Sequence, residues 1–297
     1  MNIISLIEKE GRLAEDLRRA AKDLGIRITT VRWSDLRANM RTDDQTVRAG
    51  DMVLNHADAI LLRTMRAGTF EQVFFRMDML HRLGAAGPPI VNPPRAVEVS
   101  VDKYMAQALV RDAGLATPDT VVCQKLTDAI EAFDALGGDV VLKPLFGSEG
   151  FGITRISDRA LAQRAFAQLE RMGQVAYVQR FVPHDGSDFR LFVLGGRVLG
   201  SMRRRGQDWP ANIALGGRGE PVVPPPAISA MALRAAQACG ALMAGVDVLV
   251  SDGGEPYVLE VNAIPGWREL AEVTGIDVTR QVLTFIVGEA EQKHASP

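Results

Sequence analysis

"GVDVLVSDGGEPYVLEVN", residues 245–262, alternates apolar and polar positions on both sides of Gly253 and Gly254. That pattern predicts an antiparallel hairpin with a two-residue glycine turn. With those glycines at its centre, Asp247 lies directly across from Glu260. Asn262 shares their face, because side chains two apart on a strand point the same way. Two carboxylates facing each other destabilise a bare ladder and call for a compensating charge. Hard oxygen donors of this kind suit Mg²⁺, which takes one or two carboxylates plus phosphate and water oxygens; a solvated face in a different register is the alternative. The apolar neighbours of Glu260 and Asn262 in "YVLEVNAIPG" weigh against that alternative, since a buried carboxylate needs a partner.

A second glycine turn lies upstream, in "DFRLFVLGGRVLGSMRRR" (188–205). A turn at Gly195 and Gly196 puts Asp188 opposite Arg203, with Arg190 on the same face. The acid would suit a ribose hydroxyl and the arginines a phosphate or carboxylate; a structural cross-strand ion pair is the other reading. Before both hairpins comes "KPLFGSEGFG" (143–152), where Lys143 closes an apolar run and glycines follow. Glycine lets backbone N–H groups approach an anion closely, but this loop is neither a G-x-x-x-x-G-K-[ST] nor a G-x-G-x-x-G motif. Lys103, on the preceding predicted helix, is placed to reach the same phosphates. Taken singly, each lysine reads more readily as a solvated surface charge, and the case rests on their joint occurrence.

Around these motifs the hydrophobic periods change. Residues 1 to about 95 alternate strands ("IISLI", "IRITTVRW", "ADAILLRT", "PPIVN") with amphipathic helices, which predicts an α/β layer that is Rossmann-like without a dinucleotide fingerprint. "NPPRAVEV" marks a break, and "VEVSVDKYMAQALVRDAGL" is expected to be one helix. Residues 117–182 read as an α+β lobe around the glycine loop, with helices capped by Thr127 and Ser157. A further helix is expected from Ser229 to about Met243, and a closing one over roughly 277–292. The expected domains are 1–98, 99–182 and 183–297.

Composition narrows the partners. The 297 residues carry a formal net charge of −2 and are 47% hydrophobic, an ordinary globular balance that points to small molecules rather than nucleic acid or membrane. Cys123 and Cys239 lie in no metal or redox motif and read as small apolar residues of a reducing compartment. The N-terminal apolar run is too short for a signal peptide, so a cytoplasmic protein is expected.

Taken together, "DKYMAQALVRDAGLATPDTVV", "VVLKPLFGSEGFGI", "VQRFV", "GSDFRLFVLGGRV", "AGVDVLV" and "LEVNAIPG" resemble, in order and spacing, the ATP-grasp ligases of the RimK-like branch, the α-L-glutamate ligases. The resemblance implies a mixed α/β and α+β fold: an ATP-grasp body of two lobes behind an N-terminal Rossmann-like pre-ATP-grasp domain. It implies ATP and Mg²⁺, two ions, with Mn²⁺ as a substitute. Lys103, Lys143 and the loop Gly147, Ser148, Glu149, Gly150, Phe151 and Gly152 would meet the phosphates. Gln179, Arg180, Phe181 and Val182 would form the adenine hinge, and Asp188 would meet the ribose. Asp247, Glu260 and Asn262 would ligate metal, while Arg190 and Arg203 would stabilise the transferring phosphoryl group.

Two departures stand out. The hinge reads "VQRF" where the family usually has V-Q-E-Y, so Arg180 replaces an acid. "WPANIALGG" keeps Asn212, Gly216 and Gly217 but has Pro210 and Leu215 at basic positions, so a substrate or phosphate contact is either missing or supplied by Arg204, Arg205 or Arg218. Within the branch, "GTFEQVFFRMDMLHRLG" and "IVNPPRAVE" are more similar to the ligases that add glutamate to C1-carrier cofactors, of tetrahydromethanopterin or methanofuran type, than to the ribosomal-protein modifier. Arg63, Thr64, Arg66 and Gly68 would then border the acceptor pocket. The implied reaction joins a carboxylate and an amine, glutamate among them, through an acyl phosphate, in a homo-oligomer. An ATP-binding protein without ligase activity, a small-molecule kinase and a glutamate ligase acting on a protein terminus are the competing readings.

Overall fold

Strand β1 (Asn2–Ile7) is buried on both faces, as a parallel strand between two helical layers must be. It pairs in parallel with β2 (Arg27–Arg32) and β6 (Ala59–Leu62), and β6 with β7 (Ile90–Val91), in the order β2-β1-β6-β7. Between β2 and β6, three short strands form a separate antiparallel sheet that the sequence reading did not anticipate: β3 (Leu36–Ala38), β4 (Val47–Ala49) and β5 (Met52–Val53). Ile4, Leu6, Ile60 and Leu62 pack with Met77, Leu80 and Leu83 of helix α2 (Phe70–Ala86). On the opposite face, Ile3 and Leu61 pack with α1 (Arg12–Asp23) and with α9 (Val278–Ala295), the last helix of the chain. This computed structural model describes residues 1–65, 68–147, 152–206 and 218–295.

The central lobe is a four-stranded sheet, order β10-β9-β11-β8, made of β8 (Thr120–Cys123), β9 (Val140–Lys143), β10 (Thr154–Ile156) and β11 (Ala176–Arg180). Val140, Ile156, Ala176 and Val178 face α5 (Leu126–Ala135) and α6 (Arg159–Arg171) and form its core with Phe133 and Phe166. By strand alternation the other face carries Lys143 directly beside Tyr177.

The expected helix over 97–115 is instead two: α3 (Pro94–Val101) and α4 (Lys103–Asp112). Asp102 ends the first and caps the second, its carboxylate accepting from Tyr104 N at 2.9 Å and Met105 N at 3.1 Å. Pro94 starts α3 rather than only breaking what precedes it, since a first-turn proline needs no N–H partner. The same rule corrects α7, which runs Pro226–Ala238 rather than from Ser229 to Met243. Thr127 is no cap: the N-terminal Leu126 N–H of α5 donates to Glu170 Oε1 of α6 at 2.9 Å. Asp158, not Ser157, caps α6, accepting from Leu161 N at 2.7 Å. Helix α8 (Arg268–Thr274) was not foreseen.

The third sheet runs β14-β13-β12-β15-β16, from β12 (Ser187–Leu194), β13 (Arg197–Arg205), β14 (Arg218–Pro221), β15 (Met243–Val250) and β16 (Pro256–Asn262). Leu191, Val193, Val246, Val248, Val258 and Val261 cover α7 together with α3 and α4. The reverse face is apolar at one end, where Phe192 and Met202 meet Trp267 and Leu270, and charged at the other. Asn92, fully buried, ties this sheet to the first: its amide donates to Met243 O at 2.6 Å and to Ala263 O, and its oxygen accepts from Met243 N at 2.8 Å. Asn92→Ala strands those backbone groups in an apolar interior, and is expected to cost about 3 kcal/mol. Equilibrium denaturation measures it, and a loss below about 1 kcal/mol contradicts the clamp.

Candidate active site

The register of the two hairpins decides which side chains meet. In β15–β16, Asp247 faces Glu260 and Gly245 faces Asn262, the pairing expected from sequence. It arises by two compensating shifts. Beyond Asp247 the pairs are Val248–Val258 and Val250–Pro256, so the turn is one residue longer than assumed and Leu259 is an extra, bulged residue. The bulge also puts Val258 and Val261 on the same apolar face, which strict alternation would not.

In β12–β13 no such compensation occurs. The turn is where expected, with Leu194 facing Arg197, but Leu199 bulges and every later pair moves by one. Asp188 therefore faces Arg204, not Arg203. Arg203 is turned to the other face, where it donates to Ser187 Oγ at 2.8 Å and to Asp185 at 2.6 Å. The arginine expected to share a face with Asp188 and Arg190 is thereby corrected from Arg203 to Arg204.

These residues form one chain of charge. Arg204 grips Asp188 with two hydrogen bonds of 2.7 and 2.6 Å and reaches Asp247 Oδ2 at 2.9 Å, while Arg190 donates to Asp247 Oδ1 at 2.7 Å. All four side chains are 9–12% exposed. Burial alone would raise the Asp247 pKa, but Arg190 and Arg204 outweigh it and hold the carboxyl below its ordinary value. Both Asp188 oxygens are engaged by Arg204, as both Asp247 oxygens are by Arg190 and Arg204.

Gly245, which the sequence reading passed over, makes room for this chain. A Cβ there would lie 2.4 Å from Arg190 Nη2, so the guanidinium crosses the sheet directly over the glycine to reach Asp247.

Across the crevice stand the lysines. Lys103 Nζ donates to Gly147 O at 2.7 Å, holding the start of the glycine loop to the head of α4. Lys143 is half-buried, and burial pulls its pKa down to about 8 against the opposing pull of Glu260; nearby Lys103 lowers it further. Burial likewise lowers Lys103, with Glu260 and Asp102 resisting. Glu260 thus acts on both lysines, which brings residues from two lobes to one place. It has no hydrogen bond of its own among the described residues.

The remaining expected residues divide. Gln179 turns its side chain inward, donating to Thr120 Oγ1 at 2.9 Å and Gln107 at 3.3 Å, and so braces the sheet. The Arg180 and Phe181 amides are already donated to Asp119 O and Asp139 O, at 2.8 and 3.0 Å. Val182 N–H is left without a partner among the described residues and is available to an adenine edge. The Arg180 guanidinium pairs with Asp119, which neutralises the departure from the usual hinge acid. Thr64 braces the first layer, accepting from Glu8 N at 2.8 Å and Trp33 Nε1 at 2.6 Å. Gly68 sits against the capping box of α2, where a Cβ would come 2.8 Å from Gln72 Oε1. Arg63 is buried against Trp267. Arg66, Ser148, Glu149, Gly150, Phe151, Asn212, Gly216 and Gly217 lie outside the described residues.

The oxygen set fits a hard divalent cation. Asp247, Glu260 and Asn262 share a face, and Asn262 Oδ1 is oriented by accepting from Ile264 N at 2.8 Å. No group of three His, Cys, Asp or Glu side chains suited to a metal occurs among the described residues. The amide and ligand oxygens would have to complete the shell, as Mg²⁺ permits.

Two substitution series test this geometry. Arg204→Ala leaves two buried carboxylates short of their partner and is expected to cost about 3 kcal/mol of stability. Arg203→Ala removes a half-exposed pair and is expected to change stability by less than about 1 kcal/mol; urea denaturation of both variants gives the comparison, and equal losses contradict the register. Lys143 has a lower pKa folded than unfolded, so the nucleotide- and metal-free protein should gain stability as pH rises from about 8 towards the ordinary lysine value. Lys143→Met should flatten that rise and raise the Tm at pH 7, while weakening ATP binding at least about tenfold. A Tm unchanged or lowered contradicts a desolvated, unpaired ammonium.

Known proteins share this architecture. The RimK-like ATP-grasp domain family matches residues 100–286. The chain is 30% identical to the tetrahydromethanopterin:α-L-glutamate ligase of Methanosarcina acetivorans, over 95% of this chain and 97% of that protein. Its fold matches the ATP-grasp ligase PsnB complexed with minimal precursor, Mg and ADP, with a TM-score of 0.76, 18% identity and 97% of each chain covered. It also matches the RimK domain protein of Sphaerobacter thermophilus, with a TM-score of 0.75, 22% identity and coverage of 97% of this chain and all of that one. With its charged crevice between two grasping sheets and this agreement in sequence and fold, the chain belongs to the RimK-like ATP-grasp family.

Proposed function

We propose that the protein is an ATP-dependent ligase that forms an amide bond between L-glutamate and a small molecule of C1-carrier cofactor biosynthesis. The observation that carries the reading is the convergence of Lys103 and Lys143 on Glu260, beside Asp247 and its two arginines. This inventory neutralises crowded phosphate oxygens and includes no serine or cysteine nucleophile, which is what phosphoryl transfer asks of a protein. The glutamate and cofactor assignment rests on the 30% identity to the tetrahydromethanopterin ligase across nearly its whole length.

In the proposed reaction a carboxylate oxygen attacks the γ-phosphorus of ATP, giving an acyl phosphate and releasing ADP. The amine nitrogen then attacks the acyl carbon, phosphate leaves, and the nitrogen gives up a proton. Lys103 and Lys143 hold the nucleotide phosphates, and Arg190 and Arg204 offset the charge of the transferring group. Asp247, Glu260 and Asn262 would hold Mg²⁺, which would supply charge neutralisation at the phosphate oxygens; two ions belong to the same reading. Val182 N–H supports adenine. We extend the reading to a cytoplasmic homo-oligomer; no helix among the described residues is long and apolar enough to cross a membrane.

Mass spectrometry of the protein with ATP, Mg²⁺, glutamate and a panel of acceptors tests the reaction. A gain of one glutamyl unit with ADP release is expected, reduced at least about a hundredfold by Glu260→Ala. Gly245→Ala should lower kcat by about tenfold or more through displacement of Arg190, and should lower Tm as well because buried Asp247 loses a partner. A phosphorylated product without an amide would identify a kinase instead, and ATP binding without turnover across the panel would identify a binding protein.

A further inference from the structure

Three arginines are buried around the crevice. Arg190 and Arg204 are each paired with carboxylates; Arg63 is not. It follows β6, where its backbone N–H donates to Leu6 O at 3.0 Å, and the residue is 4% exposed. Its guanidinium lies 3.5 Å over the Trp267 ring, and Nη1 donates to Pro265 O at 3.0 Å. Nε is buried with no partner. No carboxylate pairs with Arg63 among the described residues, and burial pulls its pKa down to about 9.

A buried cation without an acid is costly, and stacking on an indole with one carbonyl bond returns only part of that cost. What remains is a specific vacancy in the hydrogen bonding. One face is covered by Trp267 and Nη1 is engaged, so the Nε and Nη2 edge carries two parallel N–H groups that match the oxygens of a carboxylate. The position suits a substrate group. Pro265 lies on the loop that leaves Asn262, so Arg63 sits at the metal-ligand end of β16, on a different layer from the phosphate-facing lysines. We propose that Arg63 binds a non-reacting carboxylate of the amino-acid substrate through its Nε and Nη2 edge, making an acidic amino acid the required partner. This rests on the glutamate-ligase reading and adds the residue that would select for the acid.

Arg63→Gln and Arg63→Lys in the full chain test it. Arg63→Gln is expected to raise the KM for glutamate by about a hundredfold while the KM for ATP stays within about twofold. Arg63→Lys should recover part of the loss. In thermal-shift titrations, glutamate should stabilise the wild type and glutamine should not, and Arg63→Gln should abolish the glutamate effect. If Arg63→Gln does not fold, Arg63→Lys carries the same comparison. Variants that bind glutamate like the wild type, or that lose ATP and glutamate equally, overturn the proposal. Arg63-dependent stabilisation by glutamate without any ligation would sink the ligase reading and keep the carboxylate site; ligation with unchanged glutamate KM would do the reverse. A wild type that glutamate neither stabilises nor serves as substrate would end both.

Discussion

The buried chain Asp188–Arg204–Asp247–Arg190 is the interaction on which the site depends. Two acids and two arginines balance in charge, so a sheet that is apolar on one face can keep a charged end on the other. A buried ion pair of this kind is weak evidence of stability, because desolvation consumes much of the Coulomb gain. Its value here is geometric. The guanidiniums hold Asp247 in place, and in the proposed reaction the same groups would meet the incoming phosphoryl group, exchanging partners without moving the backbone.

The two lysines, Lys143 at the end of β9 and Lys103 at the head of α4, complete the logic in the reverse sense. Asp247 is compensated before any ligand arrives, whereas Lys143 is not, and its depressed pKa records the deficit. Free energy stored as an unfavourably placed positive charge becomes binding energy once an anion enters. Asp102 contributes from below: by ending α3 and capping α4 it places Lys103 in the first turn of a new helix, facing the glycine loop.

The pairing of Asp247 with Glu260 was readable because apolar flanks and paired glycines fixed the hairpin to within one residue, and the bulge at Leu259 restored the register that the longer turn had displaced. The first hairpin was misread at Arg203 because nothing in strict alternation announces the bulge at Leu199. A signal existed in Gly200, since a glycine inside a strand often marks a bulge, and a Cβ there would meet Ile276 Cδ1 at 3.1 Å. Gly245 offered the same kind of signal. Asn92 offered none: its partners Met243 and Ala263 are 151 and 171 residues away in sequence, and no local pattern encodes such a clamp.

The closing helix α9 bears on how the chain folds as it is made. One face of the first sheet, Ile3 and Leu61 among it, is sealed by Val278, Val282, Leu283 and Ile286. Domains commonly fold in the order in which they leave the ribosome. Here the strands of the first sheet wait, with one apolar face uncovered, until α9 has emerged. The central sheet, whose core draws only on its own segment, has no such delay. On that order the central lobe closes before the layer that precedes it in sequence, and Arg63 can meet Trp267 only after the third sheet has been made.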